Sequence, residues 1–289
     1  MRSEPECLAC MMNQAWNTAR IVTKDPNQLR EIINCAAQLI QHTDLELTPA
    51  ENSKPIYEIA ARVSGITDPY QELKRQSNQE ALRLLPGLQK TVEQAEDRMA
   101  AALHVAVAGN IIDLGIGHTY DLREDVDVIL QTPFRIDHTD MFKREILPGR
   151  TLLMLGDNAG EIIFDRILIE ELLRNEIQVT YSVKSHPIIN DATLEDAETS
   201  GIAQLVPVIE TGSGDIGVNF SNVSDEFMEA FQSVDLILAK GHGNFETCDT
   251  RPENIYFLLK TKCGVVAREL GVEMGAIIFK NNRYNDSIV

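Results

Sequence analysis

Residues 151–174 read TLLMLGDNAGEIIFDRILIEELLR, and this stretch decides the fold. An apolar run at 152–155 enters a polar turn at Gly156, and apolar residues then recur at helical spacing from Ile162 onward. That pattern reads as strand, tight turn and helix. The turn sets Asp157, Asn158 and Glu161 beside Gly156 and Gly160 at the carboxyl end of an expected parallel strand, where open α/β sheets place their ligands. An acid and an amide there suit a hard cation, and the N–H groups of the helix start suit an anion. An Asn-containing turn with an ordinary helix cap gives the same hexapeptide, so the motif alone leaves both readings open.

Toward the carboxyl terminus, apolar runs alternate with helical patterns, and the expected strands are 151–155, 178–183, 204–209, 236–239 and 276–279. Such alternation predicts an α/β fold, a parallel sheet with helices on its faces. Upstream the chain reads helical over 7–21, 29–40 and 56–63, with Pro26, Pro49 and Pro69 as breaks, and a longer helix is expected over 88–112. Its end, GNIIDLGIGH, puts Asn110 and Asp113 on one face ahead of Gly115 and Gly117. A glycine-capped helix terminus accounts for the glycines. A mixed acidic stretch at 122–147 leads to Pro148 and Gly149, which place a boundary near 147. Residues 1–147 are expected to be mostly helical and residues 148–289 to form the α/β part.

The segments after the expected strands carry polar chemistry. KSHPIINDATLEDA brings Lys184, His186, Asn190 and Asp191 ahead of a helix that Asp191 or Thr193 caps. ETGSGDIG is a glycine-rich loop. KGHGNFET brings Lys240, His242 and Asn244, with Gly241 and Gly243 permitting close backbone approach to a ligand. FLLKTKCGVV adds Lys260 and Lys262, and Lys262 lies nearer the expected helix start at Gly264. Any one of these loops is an ordinary connector. Together they emerge on one sheet edge.

The chain has 289 residues, enough for one large core or two moderate ones. With 44 acidic against 26 basic residues, its net charge of −18 disfavours nucleic acid and anionic membranes as partners. A small phosphorylated ligand screened by a cation or a local lysine remains compatible. No run reaches the roughly 20 apolar residues of a membrane span, and MRSEPECLAC lacks the apolar core of a signal peptide. A cytoplasmic protein is expected. Five cysteines, an odd count, disfavour a disulfide framework. Cys7 and Cys10 form a CxxC with no second CxxC or HxxxH at zinc-site spacing, which leaves plain helix-start cysteines, a metal or a redox pair as its readings.

GDNAGE after one strand, NDAT after the next, KGHGNFE after a later one and KTKC beyond it, behind an amino-terminal PECxxC, together resemble the DUF89 damage-control phosphatases, in their archaeal and bacterial branch. The likeness covers essentially the whole chain. It implies a three-layer α/β/α Rossmann-like domain with a mostly parallel sheet, preceded by a helical domain that closes over the site. It also implies a metal-dependent phosphatase acting on phosphate esters of sugars or of damaged or excess metabolites, with Mn²⁺, Co²⁺, Ni²⁺ or Mg²⁺. By the resemblance, Asp157, Asn158 and Asp191 match the metal ligands. Lys262 matches a phosphate-contacting lysine, and Asn110, Asp113, Gly241, His242 and Asn244 fall at the substrate. Asp157 is expected as a ligand, with direct attack on phosphorus as the alternative. Two other readings are a Rossmann-type S-adenosylmethionine-dependent methyltransferase, suggested by LLMLGDNAG, and a metal-storage or sensor protein using the CxxC with Cys35. The methyltransferase would want an acid after the second strand, where Lys184 stands instead.

Overall fold

Three helices open the chain, α1 (Pro5–Val22), α2 (Pro26–Ile40) and α3 (Pro49–Ser64), and each begins on a proline. A first-turn N–H has no intrahelical partner, so proline is well placed there and its fixed φ favours the helix. Pro26 and Pro49, read as breaks, are therefore helix starts. The structure, a computed structural model, describes residues 1–109 and 128–284. Asn110 and Asp113 lie outside the described residues.

The single helix expected over 88–112 is instead two, α4 (Gln71–Gln94) and α5 (Arg98–Ala108). Asp97 explains the break: its carboxylate accepts the Ala100 N–H at 3.0 Å and caps a new helix. Beyond 128 the described elements are β1 (Ile136–Asp137), α6 (Thr139–Glu145), β2 (Thr151–Leu155), α7 (Glu161–Arg174), β3 (Gln178–Val183), α8 (Leu194–Ser200) and β4 (Val208–Glu210). They continue with α9 (Asp225–Ser233), β5 (Leu236–Lys240), α10 (Gly241–Cys248), β6 (Ile255–Lys260), α11 (Gly264–Leu270) and β7 (Ile277–Asn281). The strand expected at 204–209 starts later, because Ile202–Gln204 is a 3₁₀ turn. The stretch KGHGNFET, expected as a loop, winds into α10 directly after β5. Two strands were not anticipated. β6 is buried along nearly its whole length and shows no alternation, and β1 is two residues long.

The described strands form one sheet in the order β1-β7-β6-β5-β2-β3-β4, parallel throughout except for β6 against β7. Successive side chains of a strand face opposite sides. Leu152 and Met154 thus join one core with residues of α4, α5, α7 and α8, while Leu153 and Leu155 join a second core with Phe227, Phe231, Phe245 and Val266 from α9 to α11. Helices cover both faces, giving three layers. The helices α1 to α3 pack on one another through two small clusters of their own. Among the described residues no helix is long and apolar enough to cross a membrane.

The strand order fixes where a ligand belongs. From β2 the chain moves outward through β3 and β4, then returns to the other side of β2 as β5. The segments leaving β2 and β5 therefore diverge at their carboxyl ends and leave a crevice between them, the usual site in such sheets.

Candidate active site

The first two loops at that crevice are stitched together by their own backbone. Asn158 and Asp191 form an isolated antiparallel bridge, the Ala192 N–H donates to the Asp157 carbonyl at 2.8 Å, and the Ala159 N–H donates to Asn190 O at 2.8 Å. Residues 33 positions apart in sequence are thereby neighbours. The loop reaches this arrangement through Ile189 at φ 45°, a left-handed conformation that is unusual for a β-branched residue and is a form of strain often found beside functional groups. From α4, Asn78 accepts the Gly160 N–H at 2.7 Å and donates to Asp196 at 2.7 Å. This pins the β2–α7 turn to the start of α8. Thr193, one of the two expected caps, does cap α8, in a reciprocal capping box with Asp196.

Asp157, Asn158, Asp191, His242 and Lys262 line one cavity of about 580 Å³. Its other wall comes from α1, α3 and α4, including Cys7, Asn17, Tyr57, Tyr70 and Ser77. His242 stands under the β6–α11 loop: its Nε2 accepts the Lys262 N–H at 3.0 Å and lies 2.9 Å from Lys260 O. It thereby orients the segment that carries Lys262. Gly241 meets Asp157 instead of the open cavity, for a Cβ built on it would lie 1.9 Å from Asp157 Oδ2. Asn244, expected at the substrate, is buried, and its amide donates to Gly156 O at 3.1 Å and Lys240 O at 2.8 Å. It ties the first turn of α10 to the β2–α7 turn and does not line the cavity.

The electrostatics are those of crowded acids. Burial, together with the carboxylates of Glu161 and Asp191, pushes Asp157 well above the usual carboxylate range, against the pull of Lys262 and Lys240. Burial also pushes Asp191 up to about 6, while Lys184, 3.7 Å away, pulls it back. Carboxylates that hold protons this readily are relieved by a cation between them. The Asn158 amide donates to Asp157 Oδ2 at 2.8 Å and to Glu161 Oε2 at 3.3 Å, which leaves its oxygen as the remaining polar atom. Two carboxylates and an amide oxygen make a hard donor set that suits a divalent cation of the Mg²⁺ or Mn²⁺ type. Among the described residues no three His, Cys, Asp or Glu side chains gather as a metal cluster, so a site here counts the amide as its third ligand.

The cysteines do not form a competing centre. Cys35 lines a separate hollow with Pro55 and Arg62, away from the cavity that Cys7 and Cys10 share with Cys263. Burial raises the thiols of Cys7, Cys10 and Cys263, which disfavours the reactive thiolate. Sequence reasoning missed Asn78, Tyr57 and Tyr70. A helix's apolar period marks its core face and does not say which polar positions will meet a loop from another segment.

The profile of the damage-control phosphatase ARMT1-like domain matches residues 3–278. A damage-control phosphatase of Pyrococcus horikoshii is 36% identical over 288 residues, 98% of this chain and 99% of that protein. One of Archaeoglobus fulgidus is 32% identical over 287 residues, 97% of this chain and 99% of that protein. A crystal structure of a DUF89 family protein from P. horikoshii superposes with a TM-score of 0.90 at 36% identity, covering 98% of this chain and 99% of that one.

Proposed function

The chain belongs to the damage-control phosphatase family defined by the ARMT1-like (DUF89) domain, and on that premise we propose that the crevice hydrolyses small phosphate monoesters with the help of a divalent cation. The observation that carries the proposal is the Asn158 to Asp191 bridge, which brings two carboxylates and an amide from separate βα loops to one wall of a cavity that Lys262 also lines. Asp157, Asn158 and Asp191 would hold the cation. When bound, Mn²⁺, Co²⁺, Ni²⁺ or Mg²⁺ supplies Lewis-acid polarisation of the phosphoryl group.

The rest of the chemistry falls to the chain's own groups. Lys262, on a loop oriented by His242, supplies a cation to the phosphoryl oxygens from the cavity rim. Glycine at 241 lets the backbone lie against Asp157, so that the carboxylate is fixed before substrate arrives. The helical wall, part of the unit proposed over residues 1–147, presents Asn17, Thr18, Ser53, Tyr57 and Ser77 to the group that leaves with the ester oxygen. These uncharged hydroxyls and amides suit hydroxylated leaving groups such as phosphorylated sugars and other small phosphometabolites. An extended polyanion would meet the chain's overall negative charge.

The test is phosphate release from p-nitrophenyl phosphate in the presence of Mn²⁺ or Co²⁺. Turnover that disappears in EDTA and in Asp157→Ala, and that returns on adding metal to the wild type, is the expected result. Undiminished turnover in the Asp157→Ala variant overturns the proposal.

A further inference from the structure

Behind the proposed ligands lies a set of charged side chains to which no role has so far been given. Lys240 ends β5 at the point where the strand order reverses, and its side chain is completely buried. Its ammonium has three hydrogens and three oxygen partners: Ala106 O at 3.0 Å, Glu161 Oε1 at 2.5 Å and Asp165 Oδ1 at 2.5 Å. Glu161 and Asp165 are one turn apart on α7, so both face the same way. The second oxygen of each carboxylate is also occupied. Asp165 Oδ2 accepts the Tyr181 hydroxyl at 2.8 Å, and Glu161 Oε2 accepts the Asn158 amide at 3.3 Å. That amide in turn donates to Asp157 Oδ2 at 2.8 Å. A continuous line of polar contacts thus runs from Lys240 through Glu161 and Asn158 to Asp157.

We propose that Lys240 is a positioning residue, which holds Glu161 and through it fixes the Asn158 amide and the Asp157 carboxylate in the orientation that a cation requires. The inference rests on the metal-site reading given above and extends it to a layer that touches neither metal nor substrate. A buried ion triad is a poor source of net stability, since apolar residues of equal volume often do as well. Its value here lies in direction. Glu161 cannot rotate without breaking its contact with Lys240, and Asn158 cannot flip its amide without setting its oxygen against the Glu161 carboxylate. The Asn158 nitrogen therefore keeps to Glu161 Oε2 and Asp157 Oδ2, which reserves the amide oxygen for the cation. Burial alone would lower the Lys240 pKa, but Asp165 and Glu161 outweigh it and hold the ammonium above the ordinary lysine range, so the clamp stays charged.

The experiment is a double-mutant cycle read by Mn²⁺ binding, with free Mn²⁺ followed by electron paramagnetic resonance in full-length protein without substrate. Lys240→Met and Glu161→Gln are each expected to weaken the Mn²⁺ Kd by about 10–100-fold, the range typical for loss of a partner behind a metal ligand. The double variant should lose no more than the worse single one, because both act along one line. Melting temperatures and circular dichroism report the fold separately. Glu161→Gln preserves volume and an oxygen acceptor for Lys240, so it carries the test alone if Lys240→Met does not fold. Folded variants that bind Mn²⁺ within twofold of the wild type, or losses in Kd that simply add, overturn the positioning role while leaving the phosphatase reading intact. Wild-type protein that binds no Mn²⁺ overturns both.

Discussion

At Gly241 the backbone has φ 74°, a conformation costly for a residue with a side chain, and the space its Cβ would need is filled by the Asp157 carboxylate. Gly241→Ala is therefore expected to lower stability by about 1–3 kcal/mol through backbone strain and to weaken Mn²⁺ binding about tenfold or more by displacing Asp157. Thermal unfolding and a metal titration separate the two effects, and an Ala variant with wild-type affinity would refute the second. Glu246, which lines the same cavity, gives a pH prediction. Burial, helped by Asp249 and opposed by the Ala50 N–H, pushes its carboxyl from an ordinary 4.5 up to about 7. A raised acid is bound to its proton more tightly in the folded state, so its contribution to stability is fully present below pH 4.5 and is lost as pH rises through about 7. Glu246→Gln retains an oxygen for the Ala50 N–H and should stabilise the protein by about 3 kcal/mol at pH 8, with the difference vanishing near pH 4.5. Urea titrations at pH 5 and pH 8 that run parallel for the two proteins would disprove it. That Asp157, Asn158, Asp191 and Lys262 come to one cavity was legible in the sequence, because each follows a strand and carries its own chemistry. Asn244 was misplaced, because a short polar side chain among glycines looks the same whether it faces a ligand or satisfies backbone carbonyls.

Among the elements, the strands with flanking turn signals were readable, and β6 was not, because a strand buried on both faces has no period to distinguish it from a buried helix. The break between α4 and α5 was missed for a related reason. Asp97 sits in an Ala-rich stretch of high helix propensity, and the cap there is supported by Lys143 of α6 and by the packing of α5 against α7, both distant in sequence. How α3 is held over the crevice was beyond sequence reasoning altogether, since it depends on Lys54 meeting Asp215 at 2.5 Å across 161 positions of chain. Asp215 also accepts Asn222 Nδ2 at 2.8 Å, and these contacts outweigh the effect of burial and hold its carboxyl below the usual range. Lys54→Met should loosen this tie by about 1–2 kcal/mol and raise KM for p-nitrophenyl phosphate about five- to tenfold. The kcat should stay within about twofold, since no group at the phosphoryl site changes. Equal losses in kcat and KM would show that Lys54 does more than hold α3. Because the Asp215 pKa is depressed, the tie contributes above pH 3.8 and fades as pH falls below it, so wild type and variant should converge in acid.

For the whole molecule, the decisive asymmetry is between a sheet sealed on both faces by large cores and a helical wall built on two small ones. The sheet cores hold most of the buried aromatic residues, Phe142, Phe164, Tyr181, Phe227, Phe231, Tyr256, Phe257 and Phe279 among them, whereas the clusters of α1 to α3 consist of residues such as Ala15, Ala19, Ile32, Ala36, Ile56 and Ala60. Less apolar area per residue means a lower free energy of local opening. The helical wall is tied to the α/β part by buried and half-buried contacts, among them the Met1 ammonium with Asp249 and Lys54 with Asp215, and by exposed ones, Arg268 with Glu4 and Glu6. Exposed pairs of the second kind contribute little. Hydrogen exchange should accordingly show the amides of α1 to α3 opening well before those of β2, β5 and β6. If the crevice binds a cation and a phosphate together, that ligand pair touches both walls, and an opened wall cannot hold it. Adding Mn²⁺ with inorganic phosphate should slow exchange in α1 and α3 by a factor that grows with ligand concentration and matches the slowing in β2 and β5, whose exchange through global unfolding also releases both ligands. Exchange in α1 to α3 that is as slow as in the sheet and indifferent to both ligands would mean that the helical wall is a fixed part of the core and takes no part in closing the site.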